Sequence, residues 1–255
     1  MDVNNNTYTF SFAIIMVIIV AAILSTASIQ LKPYQDVNIE LEKKQNILSS
    51  VGVNILRDSA NIVYPKYIKE ELVLNYNGDI LEGSAFNLDL SVELKKDKSS
   101  QLLPLFISEV DNEIKYIVPL RGKGLWGPIW GFIALEKDLN TVYGAVFDHK
   151  AETPGLGAEI NRDFFQDPFK GKNIFNEEGV FKSIVVKKGG ADIKDKYAVD
   201  GISGGTITSD GVTDMLSERL KMYLPYFERL KSEIRIKDSI LKIDSLVIND
   251  TILKL

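Results

Sequence analysis

An uninterrupted apolar stretch near the N-terminus sets the first limit on how this chain can fold. Residues 10–31, FSFAIIMVIIVAAILSTASIQL, contain no charged side chain. As an α-helix rising about 1.5 Å per residue, this stretch spans roughly the 30 Å hydrocarbon core of a bilayer. The sequence therefore predicts an N-terminal tail at residues 1–9 and a transmembrane helix at residues 10–31.

A cleaved signal peptide is the alternative interpretation of the same stretch. Ser25 and Ala27 have the small side chains that a signal peptidase site requires. However, no Lys or Arg precedes the apolar run, whereas secretory signals normally begin with a basic region. We therefore expect an uncleaved membrane anchor.

The charges around the anchor give a weak indication of its orientation. Asp2 precedes the apolar stretch, whereas Lys32, Lys43 and Lys44 follow it. The positive-inside rule then favours a cytoplasmic C-terminal domain, although long domains cross membranes largely regardless of their charge.

The composition of the chain excludes several classes of function. The 255 residues carry a formal net charge of -5 without a basic run, which argues against nucleic acid as a partner because binding to phosphates requires clustered Lys and Arg. Cysteine is absent, which excludes disulfides, thiolate zinc sites and cysteine-held iron–sulfur clusters. The single histidine, His149, excludes a histidine-rich metal site within one chain.

The residues after the anchor divide into a peripheral part and a sheet-forming part. Apolar and charged residues follow a helical spacing in QDVNIELEKKQNILSSVGVNIL, so the anchor is expected to continue as a juxtamembrane helix. Residues 32–100 are interpreted as this helix and a peripheral segment, which contains the polar, strand-like LVLNYNGDILEGSAF and a mobile loop. In residues 101–225, β-branched and aromatic runs such as IKYIVPL and PIWGFIALE alternate with turn residues, which is typical of a twisted sheet. The predicted fold class is α+β, with a single N-terminal transmembrane helix followed by a twisted-sheet domain with flanking helices.

The C-terminal part of the sheet domain is predicted to contain a helix. The pattern of GVTDMLSERLKMYL places its beginning near Gly211, and Pro225 should bend or end it. Residues 226–255 form a C-terminal extension whose pattern fits either a helix or a strand, and whose charges indicate a surface position.

Three glycine-rich clusters are the candidate functional segments: RGKGLWG at 121–127, ETPGLG at 152–157 and VDGISGGTITSDGV at 199–212. Taken singly, each is explained as well by a tight turn as by a binding loop. No Walker loop or G-x-G-x-x-G is present, so nucleotide hydrolysis and Rossmann binding lack support. Serine hydrolysis also lacks support, because there is no G-x-S-x-G and His149 would have to be the base. The hydroxyls and small residues of the third cluster favour a close approach of backbone to a phosphate.

Taken together and in this order, the clusters resemble the flavin-binding domain of NqrC, the C subunit of the sodium-translocating NADH:quinone oxidoreductases. The flavin acceptor motif of that family is D-x-x-S/T-G-A-T; Asp200, Ser203, Gly204 and Thr206 match it, and Gly205 stands where the family has Ala. ETPGLG and the acceptor motif also occur in the G subunit of RNF-type ferredoxin:NAD oxidoreductases. GKGLW, in the first cluster, is the form found in NqrC and favours that family over the alternative.

The resemblance implies that FMN is joined through its phosphate to the hydroxyl of Thr206 by a separate flavin transferase. The chain would then be the acceptor, without catalytic or metal-ligating residues of its own. Asp200 would position the acceptor loop or contact the metal of the transferase, and the following helix would direct its N-terminus at the tethered phosphate. Thr208, Ser209 and Asp210 are candidate caps of that helix, and Thr208 is also a candidate phosphate contact.

The resemblance also implies contacts to the isoalloxazine ring of the flavin. The Pro-Gly turn of the second cluster presents backbone N–H and C=O groups at close range, and its candidate ring contacts are Thr153, Leu156 and Gly157. Trp126 is either a wall of the site or a core residue. Lys123 or Arg121 would stabilise the anionic reduced flavin, or would simply be solvated.

The family implies an electron-carrier subunit that relays single electrons through covalent FMN in a sodium-pumping NADH:quinone oxidoreductase. Its expected partners are the other membrane subunits of the complex, including the flavin-bearing B subunit and an iron-containing membrane pair, and the flavin transferase during maturation. The family places the domain on the periplasmic side of the bacterial inner membrane, against the charge indication. A cofactor-free anchored module outside the cytoplasm is the alternative of a different class, and the departure at Gly205 is what favours it.

Overall fold

The computed structural model of the chain describes the backbone of residues 5–252 and the side chains of residues 5–234 and 236. The chain divides into two units, Met1–Lys44 and Gln45–Leu255. The first four residues of the predicted N-terminal tail lie outside the described residues.

The N-terminal unit consists of helix α1 (Asn6–Ser50), whose last turns belong to the second unit. The helix contains the whole apolar stretch and continues through Pro33, so the predicted anchor and juxtamembrane helix form one continuous element. It begins at Asn6, which places residues 6–9 of the predicted tail in the helix. Among the residues that the structure describes, α1 is the helix long and apolar enough to cross a membrane.

The second unit is built on an antiparallel sheet. Among the described residues, the sheet has six strands in the spatial order β2-β1-β3-β4-β5-β6. The strands are β1 (Ile68–Leu74), β2 (Ile80–Leu81), β3 (Leu103–Val110), β4 (Glu113–Lys123), β5 (Pro128–Leu135) and β6 (Val142–His149). From β3 onward each strand pairs with the next one along the chain. The turn between β3 and β4 shows why: Asp111 and Asn112 both have positive φ, as a two-residue hairpin turn requires. The predicted α+β class is confirmed.

Strand β1 comes from the segment that the sequence pattern indicated to be peripheral. It lies inside the sheet, between β2 and β3. The pattern indicated a strand-like stretch from Leu72 onward but not a place inside the sheet, because Ile68 is followed by the charged residues Lys69, Glu70 and Glu71, which hide the alternation of a half-buried strand. Its last residues, Val73 and Leu74, are buried on opposite faces of the sheet.

Both faces of the sheet are covered, which explains the continuous apolar runs of the central strands. In β4, Ile117 packs with the end of α1 on one face, and Val118 packs with the C-terminal helix on the other. Each fully buried Leu, Ile or Phe side chain contributes about 1.5–3 kcal/mol relative to exposure to water. The remaining elements are α2 (Ala60–Tyr67), α3 (Leu90–Glu93), α4 (Asp163–Gln166), the parallel pair β7 (Val185–Lys187) and β8 (Ala198–Asp200), and α5 (Thr206–Ile252).

Helix α5 differs from the prediction at both ends. It begins at Thr206, so the predicted beginning near Gly211 is wrong: the hydroxyl-rich residues that were interpreted as a loop form its first turns. The helix also does not end at Pro225 but continues to Ile252, because the buried side chains of Tyr223 and Phe227 hold it on both sides of the proline. Residues 226–252 are therefore helical rather than extended. The predicted surface position of their side chains falls mostly outside the described residues.

Candidate functional site

The three glycine-rich clusters meet at the end of the sheet where β4 finishes and α5 begins. Gly211 of α5 lies against the carbonyl oxygen of Lys123, closer than any side chain at that position would allow. Gly157 of ETPGLG likewise lies against Oγ1 of Thr208, again without room for a Cβ. These contacts join segments that are far apart along the chain, and glycine is what permits them.

Glu152 connects all three clusters through its carboxylate. Thr208 Oγ1 donates a hydrogen bond to Glu152 Oε2 at 2.6 Å, and the backbone N–H of Trp126 donates to Glu152 Oε1 at 2.9 Å. The residue is only 4% exposed. A Cβ on Gly124 would lie 2.6 Å from Oε1 and a Cβ on Gly157 would lie 2.6 Å from Oε2, so the carboxylate fits only between glycines.

The carboxylate of Glu152 is held in its charged form. Burial acts to raise its pKa, but hydrogen bonds from Thr208 and from the backbone N–H groups of Trp126, Leu125 and Gly127 outweigh it, and the pKa lies below its ordinary value. A carboxyl whose pKa is depressed by folding stabilises the fold above its unfolded pKa, and this contribution is lost as the pH falls through the folded pKa. At neutral pH the carboxylate is therefore charged, and its hydrogen bonds contribute to stability.

The ETPGLG turn is stabilised from within and packs on the acceptor loop, residues 201–205. The carbonyl oxygen of Thr153 accepts hydrogen bonds from the N–H groups of Leu156 and Ala158, both at 3.1 Å. The side chain of Leu156 is 40% exposed and lies over Gly204, where a Cβ would be 2.6 Å from its Cδ2. The predicted ring contacts of the second cluster thus lie directly beside the acceptor motif.

His149 has a structural role in this turn. Its Nδ1 accepts a hydrogen bond from the backbone N–H of Glu152 at 3.2 Å, which fixes the residue that carries the central carboxylate.

Asp200 holds a neighbouring loop. Its Oδ1 accepts a hydrogen bond from the N–H of Ala191 at 2.5 Å, and the next residue, Gly201, donates its N–H to the carbonyl oxygen of Lys187 at 2.8 Å. The ends of the parallel strands β7 and β8 are tied together in this way. Of the two roles considered for Asp200, positioning of the loop has a contact in the structure, and contact with the metal of a transferase stays a prediction.

The beginning of α5 leaves backbone donors available next to Thr206. The carbonyl oxygen of Gly205 accepts the first helical hydrogen bond, from the N–H of Ser209 at 2.9 Å, so Gly205 is the N-cap. Glycine has no side chain with which to satisfy the first N–H groups of the helix, and these groups together with the helix dipole favour an anion there. Thr206 is half-buried and Ser203 is exposed.

The three candidate caps have other places in the structure. Thr208 lies within the first turn, 2% exposed, and its hydroxyl is taken up by Glu152, so it neither caps the helix nor points at a phosphate beside Thr206. Ser209 accepts the N–H of Ile202 at 3.1 Å and thereby fixes the acceptor loop. Asp210 is exposed within the helix.

The remaining predicted residues lie at the same end of the sheet. Trp126 is 66% exposed, which excludes the alternative that it is a core residue. Lys123 is exposed and Arg121 is half-buried, and their effect on a reduced flavin stays a prediction.

Sequence reasoning missed Glu152, although an acidic residue that opens a turn of small residues is a signal that could have singled it out. Within the described part of the chain, no group of three or more His, Asp or Glu residues is arranged to hold a metal ion.

Comparisons with known proteins agree on one family. A family model described as an FMN-binding domain matches residues 124–221. The C subunit of the Na(+)-translocating NADH-quinone reductase of Vibrio alginolyticus is 33% identical over 232 residues, which cover 83% of this chain and 90% of the relative. The crystal structure of the same subunit from Parabacteroides distasonis has a TM-score of 0.72 and 45% identity, over 77% of this chain and 96% of that chain. The crystal structure of NqrC from Shewanella oneidensis has a TM-score of 0.67 and 26% identity, over 76% of this chain and 98% of that chain.

Proposed function

The chain belongs to the NqrC family, the C subunits of the Na(+)-translocating NADH-quinone reductases, and from this premise we propose that it relays single electrons through an FMN attached by a phosphoester to Thr206. The resemblance seen in the glycine clusters is thereby confirmed, and with it the class of protein, an FMN-binding subunit of an oxidoreductase complex. The apolar helix α1 and the membrane complex of the relatives support a membrane anchor. The covalent bond, the relay and the orientation are the parts proposed here.

The position of Thr206 at the first residue of α5 is the observation that carries the proposal. Thr206 begins a helix whose first backbone N–H groups have no acceptor within the helix, and Gly205 offers no competing cap. A phosphate attached to Thr206 would receive those N–H groups and the positive end of the helix dipole, which stabilises an anion by about 0.3–1 kcal/mol at an exposed position.

The surroundings of Thr206 fit an attached flavin. The acceptor loop is made of small residues, so a bulky donor molecule can reach the hydroxyl. Exposed apolar side chains lie at the same end of the sheet and offer a surface for a planar aromatic ring; they are Leu125, Trp126, Leu156 and Ile207. When bound, FMN supplies one-electron chemistry, because a flavin accepts and releases electrons singly.

Attachment requires a transferase that brings FAD. The Oγ1 of Thr206 forms a bond to the phosphorus that carries riboflavin, the P–O bond of the pyrophosphate breaks, AMP leaves, and the hydroxyl proton passes to a base of the transferase. The chain contributes the nucleophilic oxygen and its presentation. Because the finished bond prevents loss of the flavin, the ring does not need deep burial for retention, and its edge can stay accessible to redox partners.

The proposed partners and location follow from the family. The other membrane subunits of the complex, including the flavin-bearing B subunit and an iron-containing membrane pair, would exchange electrons with this domain. The domain would lie on the periplasmic side of the bacterial inner membrane, where the flavin transferase meets it.

Replacement of the acceptor hydroxyl tests the proposal. The full chain is produced with the transferase, purified in detergent and examined by mass spectrometry and by fluorescence of the denatured band. We expect an FMN-sized adduct on Thr206 in the native chain, none in Thr206→Ala, and an adduct in Ser99→Ala, which removes an exposed hydroxyl outside the acceptor motif as the control. An adduct that persists in Thr206→Ala, or a native chain without any adduct, would contradict the proposal; the second result would favour a cofactor-free module.

A further inference from the structure

We propose that Glu152 is a positioning residue for flavin attachment: by holding Thr208, its carboxylate turns Thr206 of the same helical turn toward the transferase. This inference rests on the proposed function of Thr206. It concerns how the hydroxyl is presented and adds a residue that has no place in the acceptor motif.

Helical geometry links the two threonines. Successive residues of an α-helix are rotated by roughly 100° about its axis, so Thr206 and Thr208 project in nearly opposite directions. Thr208 points into the protein and is 2% exposed, with its hydroxyl 2.6 Å from Glu152. Fixing Thr208 inward therefore also fixes the direction of the half-buried Thr206 on the other side of the helix, at the first residue of α5, where fraying would otherwise randomise it.

The carboxylate is itself fixed on its other side. Glu152 Oε1 accepts the N–H of Trp126, and its pKa is also lowered by the N–H groups of Leu125 and Gly127, so the turn of the first cluster surrounds the charge with donors. The hydrogen bond between Thr208 and Glu152 joins residues 56 positions apart. It therefore ties the first turn of α5 to the strand ends rather than to its own loop.

In a glutamine at position 152, the amide oxygen would replace one carboxylate oxygen of Glu152 and the amide NH₂ group would replace the other. In Glu152→Gln the amide oxygen can still accept the N–H of Trp126, and the amide N–H₂ can donate to the Thr208 hydroxyl, which also accepts. The hydrogen bond between position 152 and Thr208 is then weakened but kept. Glu152→Ala removes it, and Thr208→Val removes it from the other end with little change in side-chain shape.

Tyr223→Phe is a matched control for Thr208→Val. Tyr223 lies on the same helix, is buried, and donates one side-chain hydrogen bond, to the carbonyl oxygen of Pro104 at 2.8 Å. Both substitutions remove one buried hydrogen bond of α5, but Tyr223 lies far along the helix from Thr206. A general loss of stability would therefore affect both variants alike.

The test measures the rate of flavin attachment to the full chain in detergent, with purified transferase and FAD, over a range of chain concentrations. We expect Thr208→Val and Glu152→Ala to lower kcat at least about tenfold with little change in KM, because docking is unchanged and the nucleophile is misdirected. Glu152→Gln should stay within about threefold of the native rate, and Tyr223→Phe should match it. Thermal unfolding of each variant shows that it is folded at the assay temperature.

The outcomes separate the inference from its premise. A native chain that acquires no flavin at Thr206 contradicts the proposed function. Attachment at Thr206 in the native chain, with Thr208→Val and Tyr223→Phe equally fast, overturns the role of Glu152 and leaves the proposed function intact. If Glu152→Ala does not fold, the comparison of Thr208→Val with Tyr223→Phe decides, and a decrease in both by the same factor counts against positioning.

Discussion

At the scale of single residues, Gly205 is the position where this chain departs from the acceptor motif of its family. As the N-cap of α5 it suits the structure, because glycine is preferred over alanine at that position. A Cβ at this position would lie 3.1 Å from both Cβ and Cγ2 of Ile202 and 3.3 Å from the backbone N of Gly157, which is tighter than ordinary contact. The β-branch of Ile202 thus occupies the space that a methyl group at position 205 would need.

This pairing predicts that Gly205→Ala destabilises the chain by about 1 kcal/mol, from the poorer cap and the crowded contact. Ile202→Leu moves the branch away from Cβ and should relieve the crowding, so Gly205→Ala should cost less in its presence. Urea unfolding of the native chain, both single variants and the double variant gives the coupling energy. A coupling of zero would show that the two side chains do not compete for the space.

At the scale of elements, the turn between β1 and β2 shows how α5 is supported past its proline. Gly78, with φ +80, packs on the helix so closely that a Cβ would lie 2.5 Å from the backbone N of Tyr226. Arg229, one turn further along α5, donates to the carbonyl oxygen of Gly78 and to Asp79 Oδ1, the latter at 2.9 Å. The edge of the sheet thus supports the helix where Pro225 removes one of its hydrogen bonds.

We therefore predict that Gly78→Ala lowers the free energy of unfolding by about 2–4 kcal/mol, combining backbone strain with a clash against α5. Gly179→Ala is the matched control, because Gly179 has a similar φ of +77 but nothing within 4 Å of its Cβ position. It should show the strain alone, about 1–2 kcal/mol. Thermal and urea unfolding measure both variants, and equal losses would mean that the contact with α5 adds nothing.

The sequence predicted some of these elements and not others for physical reasons. Helix α1 has an uninterrupted apolar pattern, strands β4 to β7 have runs of β-branched and aromatic residues, and these elements were predicted. The place of strand β1 inside the sheet was missed because of its charges, and the first turns of α5 were missed because Thr, Ser and Asp also favour loops. The acceptor motif was visible as a local pattern. Its tie to Glu152 was not, because a contact between residues 56 positions apart arises from the strand pairing and leaves no local signal.

At the scale of the whole molecule, the chain consists of an N-terminal unit that contains the apolar stretch and a second unit that carries Thr206, the proposed acceptor. The charges that flank the apolar stretch favour a cytoplasmic position for the folded unit, whereas the proposed function requires the periplasm. The two indications differ in strength, because the charge rule has little power over long domains.

The orientation can be measured with reporters fused after Leu255. We predict activity for a reporter that works only outside the cytoplasm, such as alkaline phosphatase, and none for a reporter that works only inside it. The same two reporters fused to a membrane protein of known orientation serve as controls. Activity of the cytoplasmic reporter alone would place Thr206 on the side away from a periplasmic transferase and would remove the proposed location.

The beginning of α5 at Thr206 has a consequence for the timing of electron exchange. Rates of electron tunnelling fall steeply with the distance between donor and acceptor, so a carrier on a flexible loop would sample a wide spread of rates. On the proposed attachment, the flavin is joined to helix α5. The first turn of this helix is held by the hydrogen bond from Thr208 to Glu152, and its residues from Val212 to Phe227 contribute buried side chains to the core. Local fluctuation of the attachment point then contributes little to the spread, and the rates depend on the distances between the domain as a whole and its proposed redox partners.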